Sequence, residues 1–167
     1  VGVLRDTATL APRAWLYRDR VVLWADGTTL PLSAPGTTNT QIVLASTDRQ
    51  ALVQRPGGLS VLDFPSGSTI IETPLDPAVT AFFGTVHPPS VRFDADAFYI
   101  SNTALDESGR SLVWKVLKIT RSSPVASVLA SGTGSVGDVL VGSNMLYADF
   151  IPDDVGVQRG LIRIKKT

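Results

Sequence analysis

Residues 41–74 read QIVLASTDRQALVQRPGGLSVLDFPSGSTIIETP, a run of short apolar segments separated by turn-forming residues. Strands are predicted at 41–46, 51–55, 59–64 and 69–73, because the branched side chains of Val, Ile and Thr suit a pleated, packed surface. The breaks between them contain Asp-Arg, Pro-Gly-Gly and Pro-Ser-Gly-Ser, which favour chain reversal. Strands connected in this way form one antiparallel up-and-down sheet, and a single sheet of this size cannot bury both of its faces.

The pattern recurs along the chain. Predicted four-strand units span 1–34, 41–74, 90–130 and 138–167, and the last of these units lacks its fourth strand. The third strands share apolar residues at their third, fourth and sixth positions, in LSVLDF (59–64), WKVLKI (114–119) and RGLIRI (159–164). Their spacing is close to the roughly 40–50 residues of propeller blades.

These repeats predict a single all-β domain over residues 1–167. It would consist of about four small antiparallel up-and-down sheets arranged as a propeller or partial propeller. A β-sandwich or prism with the same number of strands stays open, since hairpin signals do not determine how sheets are arranged. An incomplete last sheet would leave an exposed edge, and such edges recruit other strands.

Two segments resemble known propeller families. VLDFPSGSTIIETP (61–74) is similar to the hairpin between the third and fourth strands of WD40, YVTN and NHL blades, without the Trp-Asp dipeptide of WD40 or the glycine and aromatic pattern of kelch. ALDESGRSLVW (104–114) resembles the Asp-box hairpin of sialidase-type propellers, with Asp106, Gly109 and Trp114 as the matching residues. The resemblance implies blade architecture, and the Asp box implies a turn-stabilising role for its aspartate.

Two connections between the units have different predicted structures. Over 78–83 a short helical turn is predicted, because Asp76 is suited to cap it and Pro77 suits the first helical position. The segment SGTGSVG (131–137) is predicted to be a flexible linker from its composition.

Composition excludes several classes of function. Fifteen basic and fifteen acidic residues give no net charge, which argues against a nucleic-acid partner. Because the chain has no cysteine, disulfides and cysteine-based metal or thiol chemistry are excluded. No apolar stretch approaches the ~18–20 residues of a membrane helix, and the first residues lack a signal-peptide pattern. We predict no cofactor and no membrane insertion, leave the compartment open, and favour an extracellular or virion location.

Few residues suggest chemistry. His87 is the only histidine, and its Pro-rich loop predicts a structural or solvent-facing role. Acidic pairs in predicted turns, at 94 and 96, 106 and 107, and 153 and 154, are potential Ca²⁺ ligands, but ordinary turn chemistry accounts for them as well. Trp15, Trp24 and Trp114 lie in predicted strands, where they are expected to fill the core; stacking on a carbohydrate is the alternative.

The longest loops, 75–89, 104–110 and 152–159, would emerge on one face of a propeller, where binding usually resides. Phe82 and Phe83 would be either tucked under their loop or offered to a partner. The candidate residues of this interaction face are Phe82, Phe83, His87, Asp106, Glu107, Arg110, Asp153, Asp154 and Arg159.

The sequence therefore favours a non-enzymatic interaction or structural module, such as a component of a cell surface or of a phage tail or capsid. Its expected partner is another protein or a second copy of the chain. The alternative is a part of a carbohydrate-active or other hydrolytic propeller enzyme, which would require Arg, Asp and Tyr side chains that converge at the centre of the array.

Overall fold

The computed structural model describes residues 2–5, 12–17, 20–23, 29–31, 42–47, 49–55, 57–64, 71–83, 89–152 and 159–167. The chain divides into two compact units, Val1–Thr85 and Val86–Thr167. No helix in the described part is long and apolar enough to cross a membrane.

The first unit contains two four-stranded sheets. Sheet A consists of β1 (Gly2–Arg5), β2 (Pro12–Tyr17), β3 (Arg20–Leu23) and β4 (Thr29–Pro31). Sheet B consists of β5 (Ile42–Ser46), β6 (Gln50–Arg55), β7 (Gly58–Asp63) and β8 (Ile71–Pro74).

The second unit contains a four-stranded and a three-stranded sheet. Sheet C consists of β9 (Ser90–Phe93), β10 (Ala97–Leu105), β11 (Leu112–Thr120) and β12 (Ala126–Thr133). Sheet D consists of β13 (Ser135–Val141), β14 (Met145–Ile151) and β15 (Gly160–Lys165).

Every paired strand is antiparallel to its neighbour, and the order of strands in each sheet follows the order of the chain. The prediction of an all-β protein made of small up-and-down sheets is therefore confirmed. The last sheet has three strands within the described residues, as its sequence predicts. Of the fourth predicted strand of sheet B, 69–73, residues 69 and 70 lie outside the described part.

The helical turn predicted over 78–83 is confirmed as α1 (Pro77–Thr80), followed by a 3₁₀ turn at Ala81–Phe83. The Oδ1 atom of Asp76 accepts a hydrogen bond from the backbone N–H of Ala78 at 2.9 Å. Proline at the first helical position has no N–H to leave unpaired, and its φ is already helical.

The prediction of a flexible linker over 131–137 is wrong. β12 ends at Thr133 and β13 begins at Ser135, so only Gly134 separates two strands. Its φ of 93° allows an abrupt change of direction, which glycine adopts without steric cost. Its N–H donates to the carbonyl of Leu112 at 2.8 Å. Composition alone could not predict this contact, because it depends on a strand that lies elsewhere in the sequence.

Sheets C and D of the second unit pack face to face around a shared apolar core. Tyr99 and Trp114 on sheet C meet Val139, Leu146 and other buried residues of sheet D. The indole N–H of Trp114 donates to the carbonyl of Thr133 at 3.2 Å. The expectation that Trp114 fills the core is confirmed; the side chains of Trp15 and Trp24 lie outside the described part.

Strand β13 lies across β10 and is tied to it by hydrogen bonds. The hydroxyl of Ser101 donates to the carbonyl of Gly137 at 2.8 Å. The hydroxyl of Thr103 donates to the carbonyl of Val136 and accepts from its N–H, at 3.3 and 3.0 Å. These contacts fix the position of sheet D on sheet C within the unit.

We expect Gly132→Ala to lower the free energy of unfolding by about 1–3 kcal/mol, because the new methyl group overpacks the core. It would lie 3.1 Å from three atoms of the Trp114 ring, which already contacts the ring of Phe150 at a centroid distance of 6.0 Å. Gly160→Ala in β15 is the control, since its methyl group would meet no atom within 4 Å. Urea denaturation measures both, and equal losses would contradict the packing argument.

Candidate functional site

One end of the second unit contains a polar cavity of about 310 Å³. It lies where the turn between β9 and β10, the turn between β13 and β14, and the end of β15 come together. Asp94, Asp96, Tyr99, Lys118 and Lys166 supply its ionisable side chains.

Asp94 is the centre of this cluster, because both of its carboxylate oxygens are occupied. Oδ1 accepts hydrogen bonds from the backbone N–H groups of Asp96 and Ala97, at 2.9 and 3.0 Å. Oδ2 accepts from the hydroxyl of Tyr99 at 3.1 Å and from Nζ of Lys166 at 2.7 Å. The first pair of bonds closes the turn, and the second ties β10 to the end of the chain.

The two lysines of the cavity also have partners. Nζ of Lys118 donates to the carbonyl of Lys166 at 2.9 Å. The ammonium group of Lys166 lies 5.3 Å from the centroid of the Tyr99 ring, within the range of a cation–π interaction. Lys166 is therefore held on two sides, by the carboxylate and by the ring.

Burial and charge set the protonation states of the cluster. Burial alone would raise the pKa of Asp94, but the hydrogen bonds from Lys166, from the backbone and from Tyr99 together lower it to about 2. Burial raises the pKa of Tyr99 above its usual value, and its hydrogen bond to the charged Asp94 raises it further. Near neutral pH, Asp94 stays ionised and Tyr99 stays protonated, so neither has the pKa of an efficient general acid or base there.

The opposite end of the second unit carries the turn 106–111, the last residue of β14 and the first residue of β15. This placement follows from the contact of Trp114 with Phe150, near the ends of β11 and β14. The structure thus brings the turn 106–111 and the described residues that flank the predicted loop 152–159 to one end of this unit. Asp153 and Asp154 lie outside the described residues.

Asp106 stabilises its own turn. Its Oδ1 accepts from the hydroxyl of Ser108 at 2.8 Å and from the N–H of Arg110 at 3.0 Å. The pKa of Asp106 is lowered, first by the Ser108 hydroxyl and then by backbone N–H groups. Gly109 completes the turn with a φ of 70°. This geometry agrees with the role that the Asp-box resemblance implies, while the side chains of Glu107 and Arg110 point to solvent.

Arg159 forms a two-point ion pair with Asp149. Its Nε donates to Oδ1 of Asp149 at 2.8 Å, and its Nη2 donates to Oδ2. The arginine lowers the pKa of Asp149, chiefly through this hydrogen bond. Arg159 is exposed, as are Glu107 and Arg110, so these three residues of the predicted interaction face are accessible to a partner.

The two phenylalanines of the first unit differ in exposure. Phe83 is fully buried, and its carbonyl accepts a hydrogen bond from Nε2 of Gln54 at 2.6 Å. Phe82 is half-buried and meets the Phe83 ring edge-on at a centroid distance of 5.2 Å. Phe83 is therefore buried in the core and is not offered to a partner. His87 lies outside the described residues.

A surface that the sequence analysis did not predict lies on sheet D. Alternate residues of its strands point away from the core and form what we call the outer face: Leu140, Met145, Tyr147, Asp149, Ile151, Leu161, Arg163 and Lys165. Leu140 is 63% exposed, Leu161 64% and Ile151 47%. Sequence reasoning concentrated on loops and missed this face; the alternation Ile-Arg-Ile-Lys over 162–165 was the available signal.

Within the described ranges, no group of three or more His, Asp or Glu side chains is placed to hold a metal ion. Asp94 and Asp106, both considered above as potential Ca²⁺ ligands, instead accept hydrogen bonds in their turns.

Comparison with known proteins identifies no relative of this chain: no protein-family model, no curated sequence and no solved structure matches it.

Proposed function

We propose that this chain is a non-enzymatic protein-interaction or structural module, built on a β-propeller-like scaffold, such as a component of a surface or virion assembly. The observation that carries the proposal is the exposed apolar outer face of sheet D. Leu140 and Leu161 each expose more than three-fifths of their surface there, and Ile151 nearly half.

Physical reasoning connects this face to a protein partner. Strands with one buried face normally present polar residues on the other. On sheet D, two leucines and an isoleucine lie on the solvent side instead, and exposed apolar surface of this kind marks interaction sites. Arg163, Lys165 and the Arg159–Asp149 ion pair lie on the same face, and protein interfaces commonly combine apolar residues with charged and polar ones.

Two features support the propeller arrangement. Each sheet is a meander whose strands follow chain order, which is the topology of a blade. In both units a central strand buries its two faces: β6 buries Ala51, Leu52 and Val53 in succession, and β10 buries Ala97, Phe98, Tyr99 and Ile100. Such continuous burial is expected of a blade that has a neighbour on each side.

The ionisable cluster supports a non-enzymatic role. Asp94 and Tyr99 are the most perturbed groups in the cavity, and their pKa values move away from neutrality rather than toward it. Catalytic acids and bases are commonly tuned in the opposite direction. A structural role accounts for the cluster, because its hydrogen bonds join the turn between β9 and β10 to the end of β15.

Light scattering over a range of concentrations tests the proposal. Because the isolated chain lacks its partner, we expect its outer face to cause weak, concentration-dependent self-association. The variant that combines Leu140→Glu with Leu161→Glu is expected to abolish this self-association, since each substitution places a charge on the outer face.

The matched control is Val125→Glu combined with Val128→Glu, which alters two other exposed apolar residues, 61% and 48% exposed. It is expected to leave the association unchanged. The proposed function would be contradicted if the wild-type protein were strictly monomeric and no less soluble than the variant with glutamate at both 140 and 161.

A further inference from the structure

Strand β15 is the third strand of sheet D, and within the described residues no fourth strand pairs with it. The equivalent third strands of sheets B and C, β7 and β11, each pair on their outer side with a fourth strand. The sequence of β15 follows the same apolar pattern as β7 and β11. The free side of β15 is therefore the position that a further strand occupies in the comparable sheets.

The backbone of β15 has hydrogen-bonding groups directed at this free side. The N–H of Lys166 donates to the carbonyl of Asn144 at 3.3 Å, toward β14. In an antiparallel ladder, alternate residues direct their N–H and C=O groups to the same side. The groups of Ile162 and Ile164 therefore point to β14, whereas those of Leu161, Arg163 and Lys165 point to the free edge.

The side chains at this edge carry positive charge. Arg163 and Lys165 are exposed, and neither side chain has a hydrogen bond or ion pair to another described residue. The acidic residue opposite Leu161 on the neighbouring strand, Asp149, is engaged elsewhere, in its ion pair with Arg159. An acidic strand would complement this edge.

Sheet B contains an internal precedent. Its fourth strand, β8, supplies Glu72, whose carboxylate lies 2.5 Å from Nη2 of Arg55 on β6. A basic residue of an inner strand is thus neutralised by an acidic residue of the strand that completes the sheet.

We propose that the free edge of β15 binds an extended acidic strand of a partner protein, which pairs antiparallel to β15 and completes sheet D. The proposal rests on the proposed function and names its partner's chemistry. Residues of that strand opposite Lys165 and Arg163 are acidic, and those opposite Ile164, Ile162 and Leu161 are apolar. Symmetric pairing of β15 with a second copy, centred on Arg163, is disfavoured because it would place Arg163 opposite Arg163.

A short peptide tests this pairing directly. The probe is Thr-Glu-Val-Glu-Val-Val-Thr, acetylated, amidated and carrying a fluorophore, so that its two glutamates meet Lys165 and Arg163 in the antiparallel register. Fluorescence anisotropy at low salt, roughly 50 mM, measures its binding to the wild-type chain, because screening weakens exposed charge pairs.

Two methylated peptides separate strand pairing from general adhesion. N-methylation of the two glutamates removes N–H groups that would donate to β15, and we expect it to weaken binding by more than about tenfold. N-methylation of the first two valines removes N–H groups that point away from β15, and we expect a change within about threefold. Equal effects of the two modifications would overturn the proposal.

Charge reversal tests whether Arg163 and Lys165 select an acidic strand. Arg163→Glu combined with Lys165→Glu is expected to weaken binding of the acidic peptide by about tenfold and to favour its lysine counterpart, Thr-Lys-Val-Lys-Val-Val-Thr. Both residues are exposed, so the variant is expected to fold, which circular dichroism verifies. Unchanged affinity, or no binding by the wild-type chain, would overturn the acidic-strand proposal.

The outcomes for the two proposals are distinguishable. A chain that self-associates through Leu140 and Leu161 but ignores the peptide retains the proposed function and loses the strand partner. A strictly monomeric chain that binds the peptide in the predicted manner retains the strand site and loses the apolar face as an interaction surface.

Discussion

Phe83→Ala is expected to lower the free energy of unfolding of the first unit by about 3–5 kcal/mol. The ring of Phe83 is fully buried, and the 3₁₀ turn that carries it packs against β7. Its removal sacrifices the transfer free energy of the side chain and leaves a cavity that a closely packed core fills only in part. The hydrogen bond from Gln54 is unaffected, because it ends on the backbone carbonyl of residue 83.

Urea denaturation followed by circular dichroism measures this loss, and hydrogen exchange assigns it to β6 and β7. Phe82→Ala is the matched control, since its ring is half-buried and its edge-on contact with Phe83 contributes about 0.5–1.5 kcal/mol beyond burial. A loss for the Phe82 variant as large as that for the Phe83 variant would show that burial does not distinguish the two rings.

Asp94→Asn is expected to destabilise the second unit by about 1–3 kcal/mol at neutral pH. The substitution keeps the shape of the side chain but removes the charge that pairs with Lys166. It also places an amide against a hydroxyl and an ammonium group that both donate to Asp94 in the wild type. The lower end of the range reflects partial solvent screening, since 26% of the Asp94 side chain and 12% of that of Lys166 are exposed.

The effect of this substitution depends on pH in a definite direction. The pKa of Asp94 is lowered from 3.8 to about 2 in the folded protein. Because the folded pKa lies below the unfolded one, the carboxylate contributes stability above about pH 4, and the contribution is lost as the pH falls to about 2. A shift of this size corresponds to about 2 kcal/mol.

Denaturation at a series of pH values between 2 and 7 measures the difference between the wild type and the Asp94→Asn variant. We expect this difference to shrink toward zero at the acidic end. Asp138→Asn is the control, because the Asp138–Arg92 pair is 67% and 46% exposed and such pairs contribute little. A difference for the Asp94 variant that stays constant with pH would rule out the ion pair as its cause.

Local signals predicted much of the fold. The strand predicted at 51–55 forms as β6 (Gln50–Arg55), and the turn at Asp76 and Pro77 forms as expected. These elements depend on alternation and on preferred backbone angles, which neighbouring residues determine. The prediction of a linker over 131–137 is wrong because small residues, although typical of flexible chains, here end β12, which pairs with β11, and begin β13, which packs on sheet C.

The candidate site was predicted less completely. Asp106 and its turn were recognisable, because Ser108, Gly109 and Arg110 follow it directly in the sequence. The contact of Lys166 with Asp94 spans 72 residues, and no local pattern indicates it. The burial of Phe83 likewise depends on contacts with β7, which lies about 20 residues earlier in the chain.

The amino-acid sequence alone determined where strands form and reverse, since side-chain branching, proline, glycine and alternation act within a few residues. Tertiary structure decided which aspartate meets which lysine, which phenylalanine is buried and which face of sheet D stays in contact with solvent. These outcomes depend on the packing of segments far apart in the chain, and packing is a property of the assembled sheets rather than of any one strand.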